Sequence, residues 1–349
     1  MEKIRLGRTG MMVSKLGFGG IPIQRCTEDD AVTVVRRCLD HGITFLDTAN
    51  GYTTSEDRIG KAVAGRRDKV FIATKSGGRT RKDVEAHLKL SLQRLGTDYI
   101  DLYQFHGVND QKNLDMILAP DGPMAVFQEA KAAGKVRHIG ITSHQIDTAV
   151  KAVASDLFET VMFPFNFITH DAEEKLLPLC RQHDVGFIAM KPLAGGMLDQ
   201  VKPAFQYLFG FADVVPIPGV QETREIDEIV AVLNAPRRIS AADRREMERL
   251  RTELGPQFCH RCDYCQPCQT GIPISTVLTG AAFMKRLPEE RVFGDFMAKP
   301  MQLAADCIGC GECEERCPYH LPIRDLLKER IKSFEAAKKD YERRKAARA

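Results

Sequence analysis

Eight of the eleven cysteines lie between Cys259 and Cys317, in two runs. Cys259, Cys262, Cys265 and Cys268 follow one another with two residues between; Cys307, Cys310 and Cys313 do the same, and Cys317 comes after three, directly before Pro318. As thiolates, eight such residues could build two tetrahedral zinc sites or the corners of two iron–sulfur cubes. Three consecutive two-residue gaps suit one cube corner per cysteine better than the pair-plus-pair of a zinc site. The second run has the spacing in which three cysteines wrap one 4Fe-4S cluster and the fourth reaches another. Two 4Fe-4S clusters and one-electron chemistry are therefore expected here. The first run is one residue shorter and carries Pro267 before Cys268 rather than a proline after it, which leaves the destination of Cys268 open. A second set of reactive types sits earlier, each where an apolar run stops: Asp47, Lys75, His106, Thr142 with Ser143, Asn166 and Lys191. A carboxylate, an amine and an imidazole brought together can hold and move protons.

The elements that must position this second set alternate regularly. The runs VSKLGFGG, ITFLDTA, KVFIATK, YIDLYQFH, HIGITS, TVMFPFN, GFIAMKPL and VVPIPG are β-branched or aromatic and mostly lack polar alternation, as strands buried on both faces do. Helix-period segments lie between them, at 27–41, 81–95, 122–133, 145–155, 172–184 and 223–233. Thr27 and Asp30 form a capping-box-like start to the first, and Gly42, Gly96, Gly134 and Gly186 read as helix stops. Eight such units predict a (β/α)8 TIM-type barrel, whose chemistry belongs at the strands' C-terminal ends. Six of the eight ends carry the polar groups above, and Gly19-Gly20 and Gly219 close the first and last runs. An open dinucleotide-binding sheet would need a G-x-G-x-x-G turn after its first strand, and GFGGIPI lacks that spacing.

In this order, GRTGMMVSKLGFGG, GITFLDTANGY, IATK, YIDLYQFH and VRHIGITSH resemble the aldo/keto reductase family over about residues 1–235. The resemblance implies a barrel that binds NADP or NAD and moves hydride reversibly between a nicotinamide and a small-molecule carbonyl or alcohol substrate. Carried over motif by motif, it implies four catalytic residues: Asp47, Tyr52, Lys75 and His106. Tyr52 would deliver the proton that the developing alkoxide needs, because a phenol with its usual pKa near 10 holds it at neutral pH. Lys75 would stabilise the phenolate, Asp47 would fix Lys75, and His106 would orient the carbonyl oxygen. Singly each has a bland use: a cap, a half-buried ring, a solvated charge, a core histidine. Their coincidence on consecutive strand ends favours catalysis. Glu56 also matches a family position and reads as helix-start chemistry.

The implied cofactor contacts are Gly20, Thr142, Ser143, Asn166, Met190, Lys191, Leu193, Gly195, Gly219, Gln221 and Arg224. Thr142-Ser143 stands where the family has Ser-Asn, Met162 where it has Gln, and Met190 where many members stack a tyrosine on the nicotinamide. Leu193 and Gly195 belong to a loop, 192–198, implied to cover the pyrophosphate. In the loop implied to receive the adenosine phosphate, Gln221, Glu222 and Thr223 leave Arg224 as the one cation, so NADP against NAD is not fixed.

Length and composition agree with this division. The 349 residues suggest two units: a barrel over 1–255, then a small, mainly helical ferredoxin-like domain over 256–327 that resembles the two-cluster modules of redox complexes, then a basic helical tail over 328–349. Cys26, Cys38 and Cys180 lie outside both runs and read as core residues. The chain is 44% hydrophobic and 28% charged, with a formal charge of +3. The tail contributes nine Lys/Arg and four Asp/Glu, leaving the rest slightly negative, which predicts no nucleic-acid-binding body. With no apolar run long enough to span a bilayer and no apolar signal region at the start, no membrane role and a cytoplasmic location are expected. Hydride carries two electrons and a 4Fe-4S cluster passes one, and the chain has no flavin motif between them. The clusters thus have three open roles: exchange with an outside ferredoxin or flavoprotein, action in the same pocket, or bracing the domain. An alternative reading makes the chain an electron-transfer or redox-sensing subunit whose barrel is a docking scaffold with little turnover.

Overall fold

The computed structural model describes residues 1–236 and 239–347. Residues 237–238, within the expected barrel segment, and 348–349, at the end of the expected tail, lie outside the described residues. The chain divides into two compact units, Met1–Met247 and Glu248–Ala349.

In the first unit, a hairpin of β1 (Lys3–Arg5) and β2 (Met12–Ser14) precedes eight parallel strands: β3 (Phe18–Gly19), β4 (Phe45–Asp47), β5 (Phe71–Ser76), β6 (Ile100–Phe105), β7 (Val136–Thr142), β8 (Thr160–Pro164), β9 (Gly186–Met190) and β10 (Val214–Pro216). Each pairs with the next in chain order, and helices cross between them. The sheet closes on itself through Gly17 N to the Pro216 carbonyl at 2.9 Å, Gly19 N to the Pro218 carbonyl at 2.8 Å, and a parallel bridge between Gly19 and Gly219. A Cβ on Gly19 would lie 2.8 Å from the Ile217 carbonyl oxygen, so only glycine lets the seam close this tightly. The eight strands form the (β/α)8 barrel that the alternation predicts.

Inside the barrel the side chains stack in layers, as strand alternation requires. Leu6, Met11 and Val13 from the hairpin region join Phe45, Ala73, Leu102, Met162, Ile188 and Val215 in one buried cluster. The larger apolar shell lies between the strands and their helices and includes Cys38 and Cys180, with Cys26 packed against it. Three features depart from the sequence reading. VSKLGFGG is not one strand: its start belongs to the hairpin, and Lys15 between the two parts is buried, with its Nζ donating to the Phe211 and Val214 carbonyls. The segment 172–184 is two short helices, Asp171–Lys175 and Leu177–Gln182, because Pro178 has no N–H to continue the first. Asp184, at φ +50°, makes the turn expected of Gly186, which instead opens β9 and packs against Leu6.

The second unit is helical. Ile274–Leu278, Gly280–Arg286, Met297–Ala305 and Ile323–Ala346 surround a core of Val277, Met297, Met301, Ile323, Leu327 and Phe334. The last helix runs without a break into the basic segment. Its Tyr341 stacks on Phe293, ring centroids 4.9 Å apart, while Phe334 sits 5.7 Å from the same ring. Aromatic contacts therefore hold part of the tail helix against its own unit.

Candidate functional site

Strand alternation explains how the barrel's polar end is built. Phe45, Ala73 and Leu102 point inward, so Asp47, Lys75 and Gln104, each two residues further on, point the same way one layer nearer the C-terminal mouth. His106 is two beyond Gln104, and Asn166 and Met190 stand in the same phase after Met162 and Ile188. Lys75 and Asp47 are buried and paired, Nζ to Oδ2 at 2.5 Å, with Lys75 also donating to the Thr48 carbonyl at 2.6 Å. Gln104 Nε2 donates to the other Asp47 oxygen at 3.2 Å. Burial pushes the Asp47 carboxyl above the usual carboxylate range, while the Lys75 ammonium and the Gln104 amide pull it back toward ionisation.

Tyr52 lies in the loop after β4, held by Tyr52 N to the Ala49 carbonyl at 2.9 Å and Ser55 N to the Tyr52 carbonyl at 2.7 Å. Its half-buried ring has Lys75 Nζ 5.2 Å from the centroid and the His106 ring edge-on at 5.6 Å. Asp47, Tyr52, Lys75 and His106 are thus brought together at one barrel mouth. The arrangement sets a phenol beside a buried ammonium whose own counter-ion is fixed, with an imidazole on the open side. Gln104 was not singled out from the sequence; a lone amide inside the apolar run YIDLYQFH was the available signal. Glu56 differs from its expected helix-start role. It lies in the first helical turn, but its buried carboxylate accepts from Thr74 Oγ1 on β5 at 2.6 Å.

The other rim residues divide. Thr142 Oγ1 accepts from Gly107 N at 2.8 Å, and Ser143 Oγ exchanges bonds with the Gln145 backbone. Asn166 Oδ1 accepts from Ile168 and Thr169 N–H while its Nδ2 donates to the Lys191 carbonyl. Met190 is half-buried at the end of β9, Gly20 is buried, and Lys191 and Gly195 adopt positive φ in the turn that holds Leu193. Two hydroxyls, an amide and a thioether thus stand together on three neighbouring strand ends. At Gly219–Arg224 the donors have carboxylate partners within the loop and the helix it opens. Gln221 and Glu222 N–H both donate to Glu225 Oε2, at 2.7 and 3.0 Å, and Arg224 Nε is tied to Glu222 Oε2 at 2.5 Å.

In the second unit the cysteines line two cavities, each with four. Cys259, Cys262 and Cys265 share one with Cys317. Cys307, Cys310 and Cys313 share the other with Cys268. The fourth cysteine of each run therefore crosses to the other run's cavity, which places Cys268 where spacing alone could not. None of the eleven cysteines is in a disulfide. Burial pushes the Cys262 thiol up to about 11 and Cys265 up to about 12, so their thiolates call for a cationic partner. Among the described residues, no three His, Cys, Asp or Glu side chains converge as a single metal ion requires. Four thiols round one cavity are the donor set of a 4Fe-4S cluster, one cysteine to each iron corner.

Residues 15–205 match the model of the aldo/keto reductase family, and residues 258–322 that of the 4Fe-4S dicluster domain. The chain belongs to the aldo/keto reductase family of oxidoreductases and carries a C-terminal 4Fe-4S dicluster domain. It is 30% identical over 220 residues to an uncharacterized oxidoreductase of Bacillus subtilis, covering 59% of this chain and 69% of that one. It is 28% identical over 315 residues to the Glycine max protein named "Probable aldo-keto reductase 1", covering 71% and 88%. Among solved structures, the holo form of an aldo-keto reductase from Bacillus halodurans superposes with a TM-score of 0.62 at 26% identity, covering 72% of this chain and 96% of that chain. A Klebsiella pneumoniae aldo/keto reductase solved with NADP and acetate shares the fold, at a TM-score of 0.61 and 22% identity over 71% and 95% of the two chains. No helix among the described residues is long and apolar enough to cross a membrane.

Proposed function

We propose that the barrel reduces a small carbonyl compound, or oxidises the matching alcohol, with NADP(H) or NAD(H) as hydride carrier. The observation that carries this reading is the buried 2.5 Å Lys75–Asp47 pair beneath the Tyr52 ring. Bound at the mouth, the nicotinamide would supply a two-electron hydride to the carbonyl carbon. The chain's residues supply the rest. Tyr52 Oη–H donates its proton to the carbonyl oxygen as negative charge develops there, and the phenolate left behind is stabilised by the Lys75 ammonium. Asp47, braced by Gln104, holds that ammonium in place. His106 hydrogen-bonds the same oxygen and sets its direction. Thr142, Ser143, Asn166 and Met190 would hold the nicotinamide end, Gly20, Lys191, Leu193 and Gly195 the middle, and Gly219, Gln221 and Arg224 the adenosine end. In the second unit, each cysteine quartet would hold one 4Fe-4S cluster, and the pair would pass single electrons to and from a soluble carrier.

The test is NAD(P)H consumption with a panel of aldehydes and quinones. Wild type is expected to turn over part of the panel, and Tyr52→Phe to lose about 10²–10⁴-fold in rate, the usual weight of a positioned general acid. Equal behaviour of the two proteins across the panel refutes the reductase reading and favours the scaffold alternative.

A further inference from the structure

We propose that the two cysteine cavities are unequal electron sites. The cavity of Cys268, Cys307, Cys310 and Cys313 is the port, with the higher potential, at which a small soluble one-electron carrier exchanges single electrons. The cavity of Cys259, Cys262, Cys265 and Cys317, none of them exposed, is a site of lower potential. This rests on the reading that each quartet holds a 4Fe-4S cluster.

Reduction adds one negative charge to a site and forms no bond, so the surroundings decide how readily each accepts it. The carrier gives up one electron and the port gains it, with no proton required. Two guanidinium groups line the port and are anchored on the chain segments that carry its cysteines. Arg324 Nη1 donates to the carbonyl of Gly309, between Cys307 and Cys310, at 3.3 Å, and Arg316 Nη2 donates to the carbonyl of Pro267, beside Cys268, at 2.9 Å. Each guanidinium also has a carboxylate partner, Arg324 with Glu314 at 2.7 Å and Arg316 with Glu312 at 3.5 Å, so much of that charge is offset and solvent access carries more of the difference. The other cavity is lined by Asp263 and by no Lys or Arg among the described residues; Arg261, in the same loop, directs its guanidinium over the Phe283 ring instead.

Solvent access acts in the same direction. Residues 305–310 are exposed without interruption, and Ile308, on the port wall, is 64% exposed. Of the port cysteines, Cys307 and Cys310 are exposed, Cys268 is half-buried and Cys313 is buried; in the other cavity Cys259 and Cys262 are half-buried, and Cys265, Cys317 and His260 are buried. The His260 and Tyr319 rings stack at 3.6 Å and 4°, joining the chain next to Cys259 to the chain next to Cys317, with Leu278, Leu321 and Ile323 as apolar wall. At the port, Cys268 Sγ is also in hydrogen-bond contact with Thr270 Oγ1 at 3.4 Å. Hydrogen bonds to the sulfurs, solvent exposure and nearby positive charge all make added negative charge easier to hold.

The test uses the full-length chain loaded with both clusters, titrated potentiometrically and read by electron paramagnetic resonance. Two one-electron steps are expected, separated at least about tenfold in equilibrium constant, or ~59 mV. Arg324→Gln should lower the upper step alone, and Tyr319→Ala, by admitting water, should raise the lower step alone. Coincident steps, or an Arg324→Gln shift confined to the lower step or absent from both, overturn the inequality; a chain that takes up no iron overturns the cluster reading instead. The port is tested by stopped-flow reduction with the cationic probe reduced methyl viologen. Ile308→Arg should slow reduction about tenfold at low ionic strength, and Met12→Arg, exposed in the other unit, should leave it unchanged. Equal slowing by both variants, or by neither, overturns the port.

Discussion

Replacing Lys75 by methionine isolates the electrostatic core of the proposed site. Lys75 and Asp47 side chains are 1% and 4% exposed, so the variant leaves a carboxylate away from water with the 3.2 Å amide of Gln104 as its remaining side-chain partner. Stranding one member of a buried ion pair costs about 3–5 kcal/mol. The cost depends on pH in a definite direction. Burial already holds the Asp47 carboxyl above its ordinary range, and removing the ammonium that opposed burial raises it further. A carboxyl whose folded-state pKa is raised favours folding below its unfolded value, and that contribution is lost as pH climbs through the folded value. Lys75→Met should therefore fall short of wild type by about 3–5 kcal/mol at pH 8, and the deficit should shrink toward pH 5 as Asp47 takes up a proton. Urea unfolding of the barrel, followed by far-ultraviolet circular dichroism at both pH values, measures this. The Asp47→Asn/Lys75→Met double variant should lose less than the sum of the single losses, with a coupling of about 1–3 kcal/mol. A Lys75→Met protein within about 0.5 kcal/mol of wild type at pH 8, the range of ordinary surface changes, would refute the reasoning, as would a deficit equal at both pH values.

Other outcomes follow from single contacts. Glu222→Gln frees Arg224 and removes a negative charge, so the ratio of NADPH to NADH affinity, measured by calorimetry, should rise about two- to fivefold, the scale of an exposed ion pair. Gly19→Ala drives a Cβ against the Ile217 carbonyl at the barrel seam and should cost about 1–3 kcal/mol of barrel stability in urea. Stripping iron with a chelator should unfold the helical unit, whose buried thiols then lose their cationic partner, while the barrel transition stays in place.

Much of this organisation is legible in the chain because two periodicities carry it. Phe45 and Asp47, Ala73 and Lys75, and Leu102 and His106 share faces by strand alternation, so a polar type at the end of an apolar run already points into the mouth. Gln104 escapes the same reading because a residue within the run YIDLYQFH could face either side until the register with Lys75 is known. The hairpin strands Lys3–Arg5 and Met12–Ser14 are short, and their pairing across the GRTG turn shows in no run long enough to register. Gly186 misleads because a glycine after a helix is ordinarily a stop, whereas here close packing against Leu6 demands it. The cysteine spacing conveys two quartets. The crossing of Cys268 depends on the path of the chain through three dimensions, which a run lacking the usual trailing proline does not encode.

In the proposed reaction, hydride arrives at a carbon whose oxygen takes its proton from Tyr52. The direct measurement is deuterium transfer from nicotinamide cofactor deuterated at its reactive carbon, with the alcohol product read by mass spectrometry for wild type and Tyr52→Phe. Wild type is expected to place deuterium on the carbinol carbon, and Tyr52→Phe to lose nearly all of that product while still binding the cofactor. A product lacking deuterium, or a Tyr52→Phe protein that transfers it as fast as wild type, would contradict the proposed reaction.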